Sequence, residues 1–276
     1  MAQPKTCSMK SIFKILSLGL ICISSQGIAQ QTSTSKKLWL GKQAAVVLTY
    51  DDALNVHLDN VIPALESRGL KGTFYLSAFF DGSKNRIEDW KKAASLGHEL
   101  GNHTLYHPCD ASLPGRTWVS PDNDLHKYTT AQILKEIRMT NVFLESLDGQ
   151  KERTFAYTCG DTPTGEGSFM EDIKDDFVAS RGVRGALNSI GIINLLNVDS
   201  FGINGESGEE LIQLVKDAQK KNALITFLFH GVGGEHNLNV SLEAHQILLD
   251  YLEENKDTIW TTTMLDAAKH VKEHQD

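Results

Sequence analysis

Apolar and polar positions alternate along most of this chain with the spacing that strands and helices require. Residues 44–48 form a continuous apolar run, which is typical of a strand buried on both faces. Residues 223–229 form the most apolar segment of strand length. Thr129 and Gln132 have the spacing of a capping box, and apolar residues then recur every three or four positions, which predicts a helix.

The other elements follow the same two periods. Strands are predicted at residues 72–76, 155–159, 183–187, 195–198 and 258–262, with a short strand just before Gly101. Helices are predicted at residues 61–68, 87–96 and 242–254, after the Ser207 cap as far as Lys221, and at the C-terminus. Seven or eight strand–helix units predict an α/β fold with a parallel sheet closed into a barrel. In such folds the polar residues that follow the strands carry the chemistry.

The first 29 residues have a different pattern. Three lysines precede an apolar run at residues 15–23, and Gly27 and Ala29 are the small residues of a cleavage site, which predicts a secretory signal peptide. The run is shorter than the ~20 residues that span a bilayer, so we expect an exported periplasmic or extracellular protein with no stable membrane anchor. Residues 30–43 are predicted to be a leader, and residues 44–276 a single domain.

Composition excludes several classes of protein. Hydrophobic residues make up 41% of the 276 residues and charged residues 22%, which is typical of a globular domain and not of a disordered chain or a coiled coil. The formal charge of −8 argues against nucleic acid or an anionic membrane surface as a partner. Cys109 and Cys159 follow the predicted cleavage site, and the sequence leaves open whether they form a disulfide or stay as two buried thiols.

Two adjacent carboxylates, Asp51 and Asp52, stand where the first predicted strand ends. Adjacent buried carboxylates repel each other, and they need a cation or a proton to be tolerated. Beside a metal ion, one carboxylate can be a ligand and the other a general base. Taken alone, the pair also fits an ordinary turn or a helix cap.

Histidines supply the other candidate groups. His103 and His107 are four residues apart, so on a helical turn they share one face and can bind one metal ion. The spacing is that of a metalloprotease motif, but Thr104 replaces the glutamate that such a motif requires. His230 follows a very apolar strand and precedes a glycine-rich turn, which places it at the mouth of the strand or, alternatively, in the core.

Together these three elements resemble the polysaccharide deacetylases, also called NodB-homology domains or carbohydrate esterase family 4. The family's first motif, T-F-D-D-G, is similar to residues 49–53, its H-S/T-x-x-H motif to residues 103–107, and its final L-x-H motif to residues 228–230. The order and separation of the motifs also fit, and the resemblance extends from residue 44 to the C-terminus. It implies a distorted (β/α)₇ barrel, in agreement with the alternation of elements.

The resemblance also implies roles for individual residues. Asp52, His103 and His107 would bind a divalent metal, Zn²⁺ in the first place, with Co²⁺, Ni²⁺ or Fe²⁺ as alternatives. Asp51 would be the general base that takes a proton from the attacking water. His230 would be the general acid that protonates the leaving amine, since histidine titrates in the required range.

The sequence departs from the family in its third motif. Ala156 stands where the family has the arginine that orients the base. Arg184 is predicted to supply this charge, ahead of Arg181 and Arg153. The backbone N–H of Cys159 is predicted to stabilise the oxyanion.

Residues around the fourth motif are expected to complete the site. Asp199 is predicted to tune His230, and Tyr157, Phe201 and Leu228 are predicted to line the substrate pocket. Two further residues are left open. His236 either reaches the site or is a solvated loop residue, and Trp118, in an unusually long connection, either stacks on a sugar ring or packs its loop.

The protein is predicted to be a metal-dependent hydrolase whose partner is an acetylated glycan. Its predicted reaction is the N-deacetylation of N-acetylglucosamine-type glycans such as chitin oligomers or peptidoglycan. The alternatives are an acetylxylan O-esterase on the same site and a non-catalytic carbohydrate-binding relative. A serine esterase is disfavoured because the chain has no G-x-S-x-G motif. A non-haem iron oxygenase also uses two histidines and a carboxylate, but Asp51, His230 and the βα alternation favour the hydrolase.

Overall fold

The computed structural model describes residues 38–275, so the predicted signal peptide and the first part of the predicted leader lie outside the described residues. Its main element is a sheet of eight parallel strands. In chain order these strands are β1 (Ala44–Asp51), β2 (Thr73–Leu76), β3 (Glu99–Asn102), β4 (Thr154–Ala156), β5 (Ala179–Arg181), β6 (Phe201–Gly202), β7 (Leu224–Phe229) and β8 (Ile259–Thr262).

Strand order in the sheet is β5-β4-β3-β2-β1-β7-β6, and every neighbouring pair is parallel. β7 pairs with one side of β1 along most of its length. On the other side, β8 pairs with the first half of β1 and β2 pairs with the second half. The sheet curls into a half-barrel, which confirms the predicted α/β class and is consistent with a distorted (β/α)₇ barrel. The carboxyl ends of β1, β3 and β7 therefore face a common mouth.

Seven α-helices connect and cover the strands within residues 38–275. They are α1 (Ile62–Glu66), α2 (Asp81–Lys84), α3 (Ile87–Ser95), α4 (Thr130–Asp148), α5 (Gly208–Lys221), α6 (Leu242–Glu254) and α7 (Met264–His274), and a π-helical turn at His57–Val61 precedes α1. None of the helices in this range has the length and apolar character needed to cross a bilayer.

The caps predicted for α4 and α5 are present, but within residues 38–275 the predicted capping box of α4 has only one of its two hydrogen bonds. The Thr129 hydroxyl accepts the N–H of Gln132 at the start of α4. Ser207 and Glu210 form the reciprocal capping box of α5. α4 ends at Gly149, whose φ of +70° is the left-handed conformation that glycine adopts without strain.

β1 is the centre of the core, and all eight of its residues are buried. One face contributes to the larger apolar cluster, and the other contacts α7 and Trp39. Trp39 is fully buried and its indole N–H donates to the carbonyl of Asn222 at 3.0 Å. The packed part of the chain therefore includes residues before Ala44, where the domain was predicted to begin.

Two predicted strands are wrong. Residues 183–187 form no strand, and residues 195–198 contribute only one bridge, between Val198 and Arg181. The strand in this region is β5, which lies just before the predicted position. Ser180 and Arg181 in β5 are polar although buried, so a search for apolar runs passes over this strand.

A long connection runs from β3 to α4 and is held by polar contacts and one covalent bond. Arg116 pairs with Asp161, and Asp161 also accepts the backbone N–H of Asp110. Cys109 and Cys159 form a disulfide, which decides between the two alternatives that the sequence left open. The disulfide joins the segment after His107 to the segment after β4.

Replacing both Cys109 and Cys159 with serine is expected to lower the free energy of unfolding by about 2–4 kcal/mol, because the native disulfide closes a loop and restricts the unfolded chain. The bond joins residues 50 positions apart. Urea unfolding of the oxidised proteins measures the difference. A reductant should lower the stability of the wild type to that of the double variant and leave the variant unchanged. Equal unfolding midpoints for both oxidised proteins would contradict a stabilising disulfide.

Candidate functional site

A cavity of about 750 Å³ opens at the carboxyl ends of β1, β3 and β7. All five predicted metal-binding and proton-transfer residues line it, and they are Asp51, Asp52, His103, His107 and His230. They come from three strand ends that are far apart in sequence. A parallel sheet brings the carboxyl ends of its strands to one edge, which explains why these residues meet.

Asp51 is the last residue of β1 and its carboxylate is paired with an arginine. Its Oδ2 accepts a hydrogen bond from Nη2 of Arg181 at 2.5 Å, and both side chains are buried. Arg181 in β5 is the register partner of Ala156 in β4. The arginine that is missing from residue 156 is therefore supplied by the adjacent strand.

Arg184 does not take this position, and the prediction that it orients the base is corrected. Its side chain is 80% exposed, and its guanidinium forms a bidentate pair with Asp199, at 2.8 and 2.7 Å. Arg153 pairs with Asp148 instead. The difference between Arg181 and Arg184 follows from the strand register, because only Arg181 lies directly beside Ala156.

Asp199 is engaged elsewhere, which corrects the prediction that it tunes His230. Its carboxylate accepts hydrogen bonds from Arg184 and from Asn188. These contacts hold the pKa of Asp199 below its usual value although partial burial raises it. Nδ1 of His230 has no hydrogen-bond partner within residues 38–275.

The Asp52 carboxylate lies against three imidazoles. Its Oδ1 is 3.3 Å from Nε2 of His107 and 3.6 Å from Nε2 of His103, and its Oδ2 is 3.9 Å from Nε2 of His230. Burial raises the pKa of Asp52, but these imidazoles, His107 above all, hold it far below its usual value. Asp52 is therefore an anion in this site.

A hydrogen bond behind His103 fixes which nitrogen faces Asp52. Nδ1 of His103 donates to the carbonyl of Ala156 at 2.8 Å, which leaves the Nε2 lone pair directed to the carboxylate. Burial lowers the pKa of His103 to about 4, so the ring is neutral near pH 7. A lone pair thus faces an anion without a proton between them.

This arrangement fits a metal ion. Oδ1 of Asp52 is buried and lacks a hydrogen-bond partner within residues 38–275. The ligand atoms of Asp52, His103 and His107 lie within 4.8 Å of one another. One carboxylate and two imidazoles are a donor set for zinc and related divalent ions, and three protein ligands leave a position open.

A second group of ligand atoms, from His107, Cys109 and Cys159, is also compact. The two sulfur atoms are joined in the disulfide, so neither is a thiolate that could bind a metal. Asp52, His103 and His107 are therefore the group that can hold an ion.

The segment from His103 to His107 is not helical, which corrects the predicted geometry. Thr104 and His107 have φ values of +64° and +56°, in the left-handed region. The Thr104 hydroxyl accepts the backbone N–H of His107, and Oδ1 of Asn102 accepts that of Thr104. The two imidazoles converge because of this turn, with ring centroids 4.8 Å apart.

His230 follows β7 and faces the same carboxylate from the opposite side. Its backbone carbonyl accepts a hydrogen bond from Nε2 of His57 at 2.7 Å. Burial lowers the pKa of the His230 imidazole, although Asp51 and Asp52 oppose this effect. The lowered pKa makes protonated His230 a stronger acid and leaves less of it protonated at neutral pH.

The predicted pocket residues divide into two groups. Tyr157 and Leu228 line the cavity, and so does Cys159, whose backbone N–H is predicted to stabilise the oxyanion. Phe201 is not among the lining residues, which corrects its assignment, because its ring packs over Gly185. Gly202 lines the cavity in its place.

Two residues that the sequence left open also line the cavity. Trp118 is 64% exposed at its rim, and the His236 imidazole lies beside that of His230. The one signal for His236 in the sequence is its position just after the glycine-rich turn. The proximity of His236 to Asp52 depends on the path of the glycine-rich turn, and the local sequence does not indicate that path.

Known proteins resemble this chain in sequence and in fold. Residues 41–167 match the family model described as polysaccharide deacetylase. Uncharacterized protein YlxY of Bacillus subtilis (strain 168) is 31% identical over 106 residues, which are 38% of this chain and 28% of that protein. Gellan lyase of Bacillus sp is 26% identical over 251 residues, covering 81% of this chain and 9% of that protein. The chain thus spans under a third of the first relative and under a tenth of the second.

A structural neighbour agrees with the fold. A mutant of peptidoglycan deacetylase PdaC from Bacillus subtilis superposes with a TM-score of 0.51 at 15% identity, covering 83% of this chain and 91% of that chain. At this identity the similarity concerns the fold, and the site is argued from its own residues.

Equilibrium dialysis against Zn²⁺ should give about one bound ion per chain, and Asp52→Ala should lower the affinity at least about 100-fold because it removes the anionic ligand. Metal analysis after dialysis measures this. His126→Ala, which removes an exposed histidine outside the cavity, should bind like the wild type. Unchanged affinity in the Asp52 variant would exclude this group as the metal site.

Proposed function

We propose that the protein removes acetyl groups from N-acetylglucosamine-type glycans, chitin oligomers or peptidoglycan, by metal-dependent hydrolysis. The match of residues 41–167 to the polysaccharide deacetylase family model supports this proposal. The observation that carries the proposal is the group of two buried carboxylates and three histidines at one cavity. A purely structural role would not require the Asp52 carboxylate to face the Nε2 lone pair of His103 without a proton between them.

Asp52, His103 and His107 would hold the ion, which we propose to be Zn²⁺. A divalent ion held there supplies positive charge that activates water and polarises the acetyl carbonyl. The carbonyl of Ala156 keeps the His103 ring in the tautomer that binds a metal. The chain thereby provides both the ligands and one of the contacts that orient them.

Asp51 is placed to act as the general base. Arg181 fixes Oδ2 and leaves Oδ1 without a hydrogen bond within residues 38–275. Oδ1 can therefore accept a proton from the attacking water while the oxygen of that water bonds to the acetyl carbon. Arg181 is itself held by Ser200 and by the carbonyl of Gly182.

His230 is placed to complete the reaction as the general acid. When the carbon–nitrogen bond breaks, the amine needs a proton because it is a poor anionic leaving group. His230 donates that proton, and acetate and a free amine are the products. The backbone N–H of Cys159, on the cavity wall, is proposed to stabilise the oxyanion.

The disulfide supports the proposal that the protein is exported. Disulfides persist in oxidising compartments and are rare in reducing ones. The Cys109–Cys159 bond agrees with the signal peptide predicted at residues 1–29. Glycans of the cell envelope or the surroundings are then within reach. Peptidoglycan has an additional reason to be tested, since the structural neighbour PdaC is named for it.

Acetate release from N-acetylglucosamine oligomers, peptidoglycan and acetylated xylan, with and without a chelator, tests the proposed function. We expect chelator-sensitive release from an N-acetylated substrate, restored by added Zn²⁺. Acetate release from acetylated xylan alone would show that the enzyme hydrolyses an O-acetyl ester and not an N-acetyl amide. No release from any substrate, with the metal bound, would contradict the proposal and favour a binding role.

Asp51→Asn separates catalysis from metal binding. It should lower kcat by about 10²- to 10⁴-fold, the range of a general base, while the ion remains bound. Acetate release and metal content are measured on the same preparation. A variant that keeps its activity would remove Asp51 from the proposed mechanism.

Arg181→Met is expected to lower kcat by about 10- to 100-fold, because Asp51 loses the contact that orients it. Arg184→Met is the matched control and should stay within a factor of about two, since its guanidinium is solvent-exposed. Both are compared by acetate release at equal folded fraction, checked by circular dichroism. Equal losses in the two variants would contradict the assignment of Arg181.

A further inference from the structure

The segment that follows His230 is a tightly built loop. Residues Gly231–Val232 pair with Asn239–Val240 at its base. Between them, Glu235 has a φ of +67° and its carboxylate accepts hydrogen bonds from the side chain of Asn55 and the backbone N–H of Val56, at 2.6 and 2.7 Å. The residue after Glu235 is thereby held against the site.

That residue is His236, and its ring lies parallel to the ring of His230. The centroids are 4.7 Å apart and the planes differ by 14°. Nε2 of His236 is 4.0 Å from Oδ2 of Asp52. The side chain is 32% exposed and lines the cavity, so it is both positioned by the protein and accessible to a ligand.

Contacts of the other ring nitrogen fix the tautomer. Nδ1 of His236 is 3.0 Å from the backbone N of Leu238, which can only donate. The Leu238 carbonyl is farther away, at 3.3 Å, and already accepts from Gly231. Nδ1 therefore carries the lone pair and Nε2 carries the hydrogen.

Within the described part of the chain, Nε2–H of His236 is thus a hydrogen-bond donor without a partner. Within residues 38–275, the nearby carboxylate of Asp52 is 4.0 Å away, beyond hydrogen-bond distance. His236 is also outside the group formed by Asp52, His103 and His107, whose ligand atoms all lie within 4.8 Å. This donor is available for a ligand in the cavity.

We propose that His236 binds the substrate by donating from Nε2 to a sugar oxygen next to the acetylated position. This inference rests on the proposed function. His230 serves the leaving atom, and a parallel ring beside it reaches a substituent on a neighbouring carbon. In a glycan such carbons carry hydroxyl or glycosidic oxygens, and both kinds of oxygen accept this type of hydrogen bond.

Two variants separate the donor from the stacked ring. His236→Phe keeps an aromatic ring beside His230 but removes the donor, and it should raise the KM for an N-acetylglucosamine oligomer about 2- to 10-fold with kcat within about twofold. His236→Gln keeps an N–H donor and should restore KM to within about twofold of the wild type. His126→Phe, at an exposed position of a short 3-10 helix outside the cavity, should have no effect.

Several results would overturn the proposal. An unchanged KM in His236→Phe, or the same defect in the Phe and Gln variants, would exclude the donor role. Loss of bound metal from His236→Phe would make His236 a ligand instead. A lower kcat at unchanged KM would place it in proton transfer and not in substrate binding.

A binding measurement distinguishes this inference from the proposed function. If the wild type releases no acetate from any substrate, the proposed reaction fails, and calorimetry with the same oligomer then tests His236 directly. Weaker binding to His236→Phe than to the wild type supports the donor. Equal binding, or no binding by the wild type, overturns it.

Discussion

The site depends on one constraint, which is that two adjacent carboxylates must be buried at the end of the central strand. Asp51 and Asp52 are both buried, and two such anions repel each other unless each is compensated. Arg181 compensates Asp51, and imidazoles surround Asp52. The division is chemical as well as electrostatic. The carboxylate that is held by an arginine keeps an oxygen for a proton, and the one that faces the Nε2 lone pair of His103 is suited to a cation.

The position of β1 in the sheet allows this compensation. With β2 on one side and β7 on the other, the end of β1 lies between the segments that carry His103 and His230. Arg181 comes from β5, four strands away from β1, and the curl of the sheet into a half-barrel brings its guanidinium to Asp51. Residue 156 is an alanine beside it, so the arginine side chain does not compete with another large one. The positive charge beside Asp51 can thus come from residue 156 or from its register partner, residue 181, on the adjacent strand.

The sequence predicts the groups that lie at strand ends, because a parallel sheet brings such ends together whatever the details of packing. Asp51, His103 and His230 are of this kind. It does not predict contacts that depend on register or on the path of a turn. Arg181 and Arg184 are three residues apart and indistinguishable by composition, yet only Arg181 is the register partner of Ala156. Likewise, nothing local indicates that Phe201 packs on Gly185 and leaves the cavity wall to Gly202.

Contacts behind the cavity tie its two sides together. His57 donates to the carbonyl of His230, and Asn60 donates to that of Val232, so the turn after Asp52 holds the loop after β7. Burial lowers the pKa of His57 to about 4, which leaves the ring neutral, and its Nδ1 has no partner within residues 38–275. An unpaired buried nitrogen costs about 1–3 kcal/mol. The unpaired Nδ1 of His57 therefore lowers the stability of the fold, while Nε2 of the same ring fixes the position of His230 relative to Asp52. This combination indicates that His57 contributes to the geometry of the site more than to packing.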